Sequence, residues 1–514
     1  MKIGEPITVK VFKYNPATDK EPHYESYQVP YQREMRVLDT LVYIQEVLGH
    51  SIAFRWTCGT KKCGSCGMLV NGIPKLSCWE PVDEPVMTLE PLPQFPVIRD
   101  LVVDREEYQG VVWDLKPNLM RQQKPATFPE ALSHDDFEVI YPLFDCLECN
   151  VCVSACQSYG TESGTFAGPQ ALVQLARVAC DPRDKKRAEV MPKRSIFDCV
   201  ACYRCNTLCP AEIEIVERAI EPIKTELVNG GKIPPKVRDY FKAIAVHGNP
   251  YRLPREERGK WAVGTGLREF SGQEYLYYVG CVGSHDEVGQ KMARSVGTLL
   301  SEMGISLGIL GSEETSDGNE VKNLGETGLF MKLAEDCIQD LKKRGVNKII
   351  TLDPHALNVF KKEYPKLGGN FQVFHYSEIL AQLMKQRSIP PSDHRVKVTY
   401  HDPCYLGRHN GTYASPREVL QNISGLELVE MRRNRAAAFC CGGGGGNFFT
   451  DMVGGGKNSP IRMRLREAFE TGAQIIAVAC PSCAKMLSDA VKAEEQDGKL
   501  EVMGLAEIVQ QARR

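Results

Sequence analysis

The sequence predicts a multidomain α+β chain in three parts: a small β-rich domain, an α-helical domain and a duplicated α/β domain. Three observations predict it. Near the start, ITVKVFKY and YESYQVPY alternate apolar and polar residues as half-buried strands do. Two cysteine runs of identical spacing follow, separated by helix-like text such as GPQALVQLARVA. From residue 271 an order of short apolar runs and helical stretches appears, and it returns after about 125 residues.

Residues 1–110 hold the two alternating runs, joined by a polar turn. VLDTLVYIQEVL then places apolar residues at helical spacing, and a glycine-containing cysteine loop and the strand-like MLVNG come next. This order suits a β-grasp domain with a cluster in a loop. Residues 111–245 read as helical. Residues 246–270 are rich in Pro, Gly and charge and read as a linker or wrapping segment. In 271–392 the order is YLYYVG, KMARSVGTLLSEM, KIITLDP; in 393–514 it is VKVTYHDPC, PREVLQNI, AQIIAVACP. Alternating strands and helices of this kind give an α/β layer.

Composition narrows the function. The 514 residues are 43% hydrophobic and 25% charged, ordinary for a globular chain with buried cores. The formal net charge is −2 with no basic block, so no nucleic-acid partner is expected. MKIGEPITVKVFKYNP has no apolar h-region, and no apolar run reaches roughly 18 residues. Neither a secretory signal nor a transmembrane segment is therefore expected. The expected location is cytoplasmic, with peripheral attachment at the inner face of a membrane left open.

Cysteine is the outlier, with 20 copies, 17 of them in tight spacing patterns. Only Cys180, Cys281 and Cys337 stand outside. Without a signal, clustered cysteines read as metal ligands rather than disulfides.

Cys58-x4-Cys63-x2-Cys66, with Cys78 after eleven residues, has the plant-type spacing for a [2Fe–2S] cluster. Gly59, Gly64 and Gly67 let backbone amides approach the sulfurs. Zinc competes, but it takes paired C-x2-C hairpins, which fit this spacing badly.

The run C-x2-C-x2-C-x3-C occurs twice, as Cys146, Cys149, Cys152, Cys156 and as Cys199, Cys202, Cys205, Cys209. In two-cluster ferredoxins the fourth cysteine of each run ligates the other cluster. One [4Fe–4S] cluster is thus expected on Cys146, Cys149, Cys152 and Cys209, the other on Cys156, Cys199, Cys202 and Cys205. Pro210 follows the second run, whereas Gln157 follows the first.

The third set is Cys404, then Cys440 and Cys441, then Cys480-x2-Cys483. The pair opens CCGGGGGN, whose glycines give the backbone room beside a bulky inorganic group. A phosphate cradle competes, but no Lys-Ser/Thr follows the glycines. Cys480-Pro-Ser-Cys483 alone also reads as a redox dithiol or half a zinc site. The first copy has lost the set: Cys281 matches Cys404, GILGSEETSDGN lacks a cysteine pair, and DPHA (353–356) stands where CPSC stands. That half is expected to be structural, with Cys281 and Cys337 as buried small hydrophobes and His355 as a capped or core residue. His401, Asp402, Arg408 and His409 flank Cys404. His401, Arg408 and His409 are the catalytic candidates, to move protons or bind an anionic substrate. Hydrogen bonding to cluster ligands is the competing reading.

Residues 1 to about 245 resemble the iron–sulfur subunit of succinate dehydrogenase and fumarate reductase, through FRWTCGTKKCGSCGMLVNG and the order of the motifs. The resemblance implies a β-grasp [2Fe–2S] ferredoxin domain, an α-helical two-cluster ferredoxin domain, and FAD on a separate flavoprotein subunit. That family has a non-cysteine residue, and a three-iron cluster, at the position of Cys202; here a full cubane is expected. Residues 271–514 resemble the CCG domain of heterodisulfide reductases, through YHDPCYLGR, FCCGGGGG and ACPSCAKML. There such motifs hold a noncubane [4Fe–4S] cluster. The fusion is similar to the thiol:fumarate reductases, oxidoreductases that act with a flavoprotein partner. The alternative is an electron carrier between a flavin dehydrogenase and a membrane cytochrome b or another redox subunit.

Overall fold

The computed structural model describes residues 1–121, 128–184, 195–386, 396–495 and 498–513. It divides into two compact units. The first comprises Met1–Gly160, Gly164–Ile196 and Tyr203–Glu226. The second comprises Thr161–Ser163, Phe197–Cys202 and Leu227–Arg514.

In the first unit, strands Pro6–Lys13 and His23–Pro30 pair antiparallel, with Val9 opposite Tyr27. Pro6–Lys13 also pairs in parallel with Val86–Glu90, which leads on to Gly67–Val70 and Ile73–Leu76. Ile7, Val9 and Val11 are fully buried, as the alternation requires. Helix Val37–Glu46 turns Val37, Leu41 and Ile44 into the same core. Each such aliphatic side chain contributes about 1.5–3 kcal/mol by leaving water. The hairpin 67–76 turns on Asn71 and Gly72, both at positive φ (51° and 77°), the pairing a two-residue hairpin loop favours. Farther on, the short helices Val151–Ala155 and Arg204–Leu208 each follow a residue in left-handed conformation, Asn150 and Tyr203. These residues occupy equivalent places in the two cysteine runs. Arg204 Nη1 donates to Ala155 O at 2.7 Å and ties the helices together.

The second unit carries two all-parallel sheets. In one, Tyr275–Tyr278 lies between Leu307–Ile309 and Lys348–Thr351, with Gln372–His375 beyond the latter and Arg268–Glu269 at the other edge. In the other, Val396–Tyr400 lies between Leu426–Leu428 and Ile475–Val478, with Glu501–Gly504 beyond. Apart from the extra edge strand the spatial order is the same, so the duplication is structural. Ile475–Val478 is buried on both faces, as strands of a covered parallel sheet are. Loops leaving the carboxyl ends of such strands share one side.

Two boundaries differ from expectation. The division falls after Glu226 rather than at 245, because helix Pro235–His247 packs into the second unit; Tyr240 stacks on Phe449 at 5.6 Å. The 246–270 segment is not a free linker: Arg258 and Trp261 are buried, and Trp261 meets Tyr277 edge-on at 5.8 Å.

Candidate metal centres

The first cysteine loop lies in the first unit. Cys58 Sγ accepts backbone N–H groups of Thr60, Lys62 and Cys63 at 3.3–3.4 Å. These donors, Thr60 foremost, hold its pKa down to about 6. Cys63 is exposed. Cys66 and Cys78 are buried, and burial pushes the Cys78 thiol up to about 11. A thiol array that is part amide-stabilised and part buried suits a bound cation, which would hold all four sulfurs as thiolates. A Cβ on Gly64, at φ +68°, would lie 2.2 Å from Leu147 O. The loop thus presses on the first cysteine run, and Cys66, Cys78 and Cys149 share one apolar cluster.

Cys209 acts electrostatically on Cys146, Cys149 and Cys152, so the structure brings these four together in the first unit. Burial drives the Cys149 thiol up to about 12. Cys156 and Cys205 lie in the first unit, Cys199 and Cys202 in the second.

The third set is built inside the second unit. Cys404 follows strand Val396–Tyr400, Cys440 and Cys441 follow the short turn Arg435–Ala437, and Cys480 caps helix Pro481–Ala493, whose first turn holds Cys483. All five are buried. Cys440 Sγ lies 3.7 Å from Cys404 Sγ, and Cys483 Sγ 3.3 Å from Cys441 Sγ. The thiols of Cys202, Cys404 and Cys441, with burial, push Cys440 well above its ordinary pKa. Cys440 and Cys483 hold Cys441 well below its own by hydrogen bonding to its sulfur.

Five dry sulfurs at these separations cannot all ionise without a cation among them. The polar surroundings suit a sulfur-rich anionic group. Arg408 Nη2 and His401 Nε2 are buried donors with no hydrogen-bond partner among the described residues. The Arg408 charge acts on Cys202, Cys404 and Cys440, and His401 pairs with the Cys441 thiol. The residues present therefore fit an iron–sulfur group.

The catalytic candidates fare differently. Arg408 donates from Nε to Cys202 O at 2.5 Å and from Nη1 to Ala438 O at 2.7 Å. His409 Nε2 lies 2.8 Å from Ala201 O, and its ring stacks on Tyr405 at 3.9 Å. His409 is buried and Arg408 half-buried, and both fasten the 197–202 segment, rather than lining an open anion pocket. Arg408 also acts on the sulfurs through its charge, and His401 through the Cys441 thiol. Asp402 is chelated by Arg417 at 2.7 and 2.9 Å, a structural pair. The glycine run also has another cause than an inorganic neighbour. Cβ atoms on Gly444 and Gly445 would meet Val200 O and Cys199 O at 2.6 and 2.3 Å, so protein backbone occupies that room.

In the degenerate copy an arginine and a carboxylate meet the one cysteine of the set that remains. Arg258 Nη1 lies 3.4 Å from Cys281 Sγ, and Nη2 donates to Glu314 Oε1 at 2.9 Å. Glu314 also accepts from Val279 N and Gly280 N. A buried ion pair fills the place of the lost thiols. Asp353 caps helix Pro354–Lys362, as Cys480 stands before its own helix; a carboxylate is the better cap once no ligand is needed. Sequence reasoning missed one consequence: Asp353 and His355 lie beside Cys480, with their ligating atoms within 4.8 Å of one another. Burial opposes charge on His355, but Asp353 and Glu320 hold its pKa well above the usual range. The first half therefore walls the second half's cysteines.

Comparison with known proteins agrees with this layout. Residues 8–109 match the 2Fe-2S iron-sulfur cluster binding domain and 142–213 the 4Fe-4S dicluster domain. Residues 275–361 and 398–488 match the cysteine-rich domain called CCG. The protein is an iron–sulfur electron-transfer subunit of an oxidoreductase. It is 34% identical over 226 residues to the fumarate reductase iron-sulfur subunit of Haemophilus influenzae, covering 40% of this chain and 88% of that one. It is 29% identical to one subunit of the fumarate reductase (CoM/CoB) of Methanothermobacter marburgensis, over 98% of this chain and 99% of that one. It is also 34% identical over 351 residues to a Bacillus subtilis protein described as "Probable iron-sulfur-binding oxidoreductase FadF". That match takes in 66% of this chain but only 49%, about half, of the longer relative. The chain belongs to the family of fumarate reductase iron–sulfur subunits and carries cysteine-rich CCG domains as well. No helix among the described residues is long and apolar enough to cross a membrane.

Proposed function

We propose that this chain passes electrons between a thiol/disulfide pair at the five-cysteine centre and a C4-dicarboxylate site on a separate FAD flavoprotein. The reaction balances as two thiols giving a disulfide, two electrons and two protons, with fumarate taking up two of each to become succinate. Cys58, Cys63, Cys66 and Cys78 would hold [2Fe–2S] in a β-grasp domain, and the two crossed sets would hold [4Fe–4S] clusters. Cys404, Cys440, Cys441, Cys480 and Cys483 would hold a noncubane [4Fe–4S] cluster. When bound, these groups supply one-electron carriage. The protein's own part is to orient the thiolates, exclude water and fix their neighbours.

One observation carries the reading. Cys440 Sγ lies within hydrogen-bonding reach of Cys202 Sγ, and Arg408 fastens the Cys202 carbonyl. A ligand assigned to a cubane thus touches a ligand assigned to the CCG centre. Cys202 stands where the ordinary succinate dehydrogenase family has no cysteine, so this chain has a sulfur where the transfer would need one. The test is the EPR spectrum of the anaerobically purified complex, with and without the thiol substrates of the (CoM/CoB) relative. The expected result is a CCG signal that changes with thiol, together with a co-purifying FAD subunit. A thiol-insensitive signal would sink it.

The second reading, a carrier linking a flavin dehydrogenase to a membrane cytochrome b, is favoured by the ion pair that replaces the first cysteine set. Haem b in the purified complex would select it.

A further inference from the structure

His401 follows strand Val396–Tyr400 and is completely buried. Its Nδ1 lies 3.1 Å from Arg464 Nε. A guanidinium offers only donors, so Nδ1 must be the acceptor of that bond. The ring proton of the neutral imidazole therefore sits on Nε2. Arg464 is not free to turn away. It too is fully buried, and Nη1 donates to Arg433 O at 2.7 Å and to Glu467 Oε2 at 3.0 Å. Nε2 makes no hydrogen bond to oxygen, nitrogen or sulfur among the described residues, although the Cys441 thiol is close enough to act on the ring. Sulfur lies close to the ring: one ring nitrogen of His401 and the sulfurs of Cys441 and Cys483 lie within 4.8 Å of one another.

A histidine between two cysteines invites reading as a metal ligand. The tautomer rules this out, because ligation needs a lone pair and both nitrogens are committed: Nδ1 accepts from Arg464 and Nε2 bears hydrogen. We propose that His401 is an N–H···S donor to the Cys441 thiolate, oriented by Arg464, which raises the reduction potential of the group on that cysteine. The inference rests on the CCG cluster assigned above. Reduction adds negative charge to cluster and ligand sulfurs, and a fixed N–H dipole stabilises that state most. His401 and Arg464 are thus positioning and tuning residues.

The wild-type CCG signal tests the cluster assignment by itself and serves as the reference. On it, [15N]histidine labelling is expected to show only the weak nitrogen coupling of a hydrogen-bonded ring. The strong coupling of a directly bonded nitrogen would overturn the proposal, and this readout needs no variant. Redox titration of His401→Leu is expected to move the midpoint negative at unchanged iron content, with His401→Gln, which keeps an N–H, restoring part of the shift. An unmoved midpoint in folded, iron-replete His401→Leu would also overturn it.

Discussion

A guanidinium buried beside a single carboxylate makes each residue depend on the other. Arg258 is 2% exposed and Glu314 4%. Glu314→Gln leaves the Arg258 charge unanswered in a dry site and is expected to cost about 3–5 kcal/mol. Thermal melts should show it, and the paired apolar variant Arg258→Met with Glu314→Leu should recover most of the loss. Such pairs are invisible in sequence. Glu314 lies 56 residues from Arg258, Arg464 lies 63 from His401, and Arg408 lies 206 from Cys202. A charged residue does not print its partner. The cysteines are legible because an inorganic cluster imposes short, fixed spacings on its ligands. His401 and Arg408 stand out only as neighbours of Cys404. Arg408, expected to meet a substrate anion, instead holds backbone carbonyls.

Elements are legible where periodicity governs them. Strand Pro6–Lys13 and helix Val37–Glu46 follow their apolar spacing, and the repeated strand order follows the repeated text. The 246–270 segment is less so, since Pro, Gly and charge look alike in a solvated loop and in a packed strap. The CCGGGGGN loop needs its glycines, as its text suggests, but the reason lies in the 199–202 segment, far away in the chain. Gly445 has φ +60°, and its Cβ would sit 2.3 Å from Cys199 O. Gly445→Ala adds a left-handed penalty of about 1–2 kcal/mol to that clash. It is expected to displace the 199–202 segment. Loss of magnetic coupling between the cubane and CCG signals, with the [2Fe–2S] signal retained, is the measurement that checks it.

At the scale of the molecule, the two α/β copies share a strand order but not a binder. In Val396–Gly504 the loops at the strand ends converge on five sulfurs; in Tyr275–His375 they converge on an ion pair. Iron chelation should separate them. Hydrogen exchange is expected to quicken around Cys404, Cys440 and Cys483 once the metal is gone, while strands Tyr275–Tyr278 and Lys348–Thr351 keep their protection. Equal loss in both copies would show that the first leans on the metal too. The Arg258–Glu314 pair bears on how the protein is made. Its components arrive with the polypeptide itself, so the first copy can settle as soon as it leaves the ribosome. It then stands ready, with Asp353 and His355 in place, as the finished wall against which the second copy receives its iron. A scaffold built only of amino acids waits on no supply.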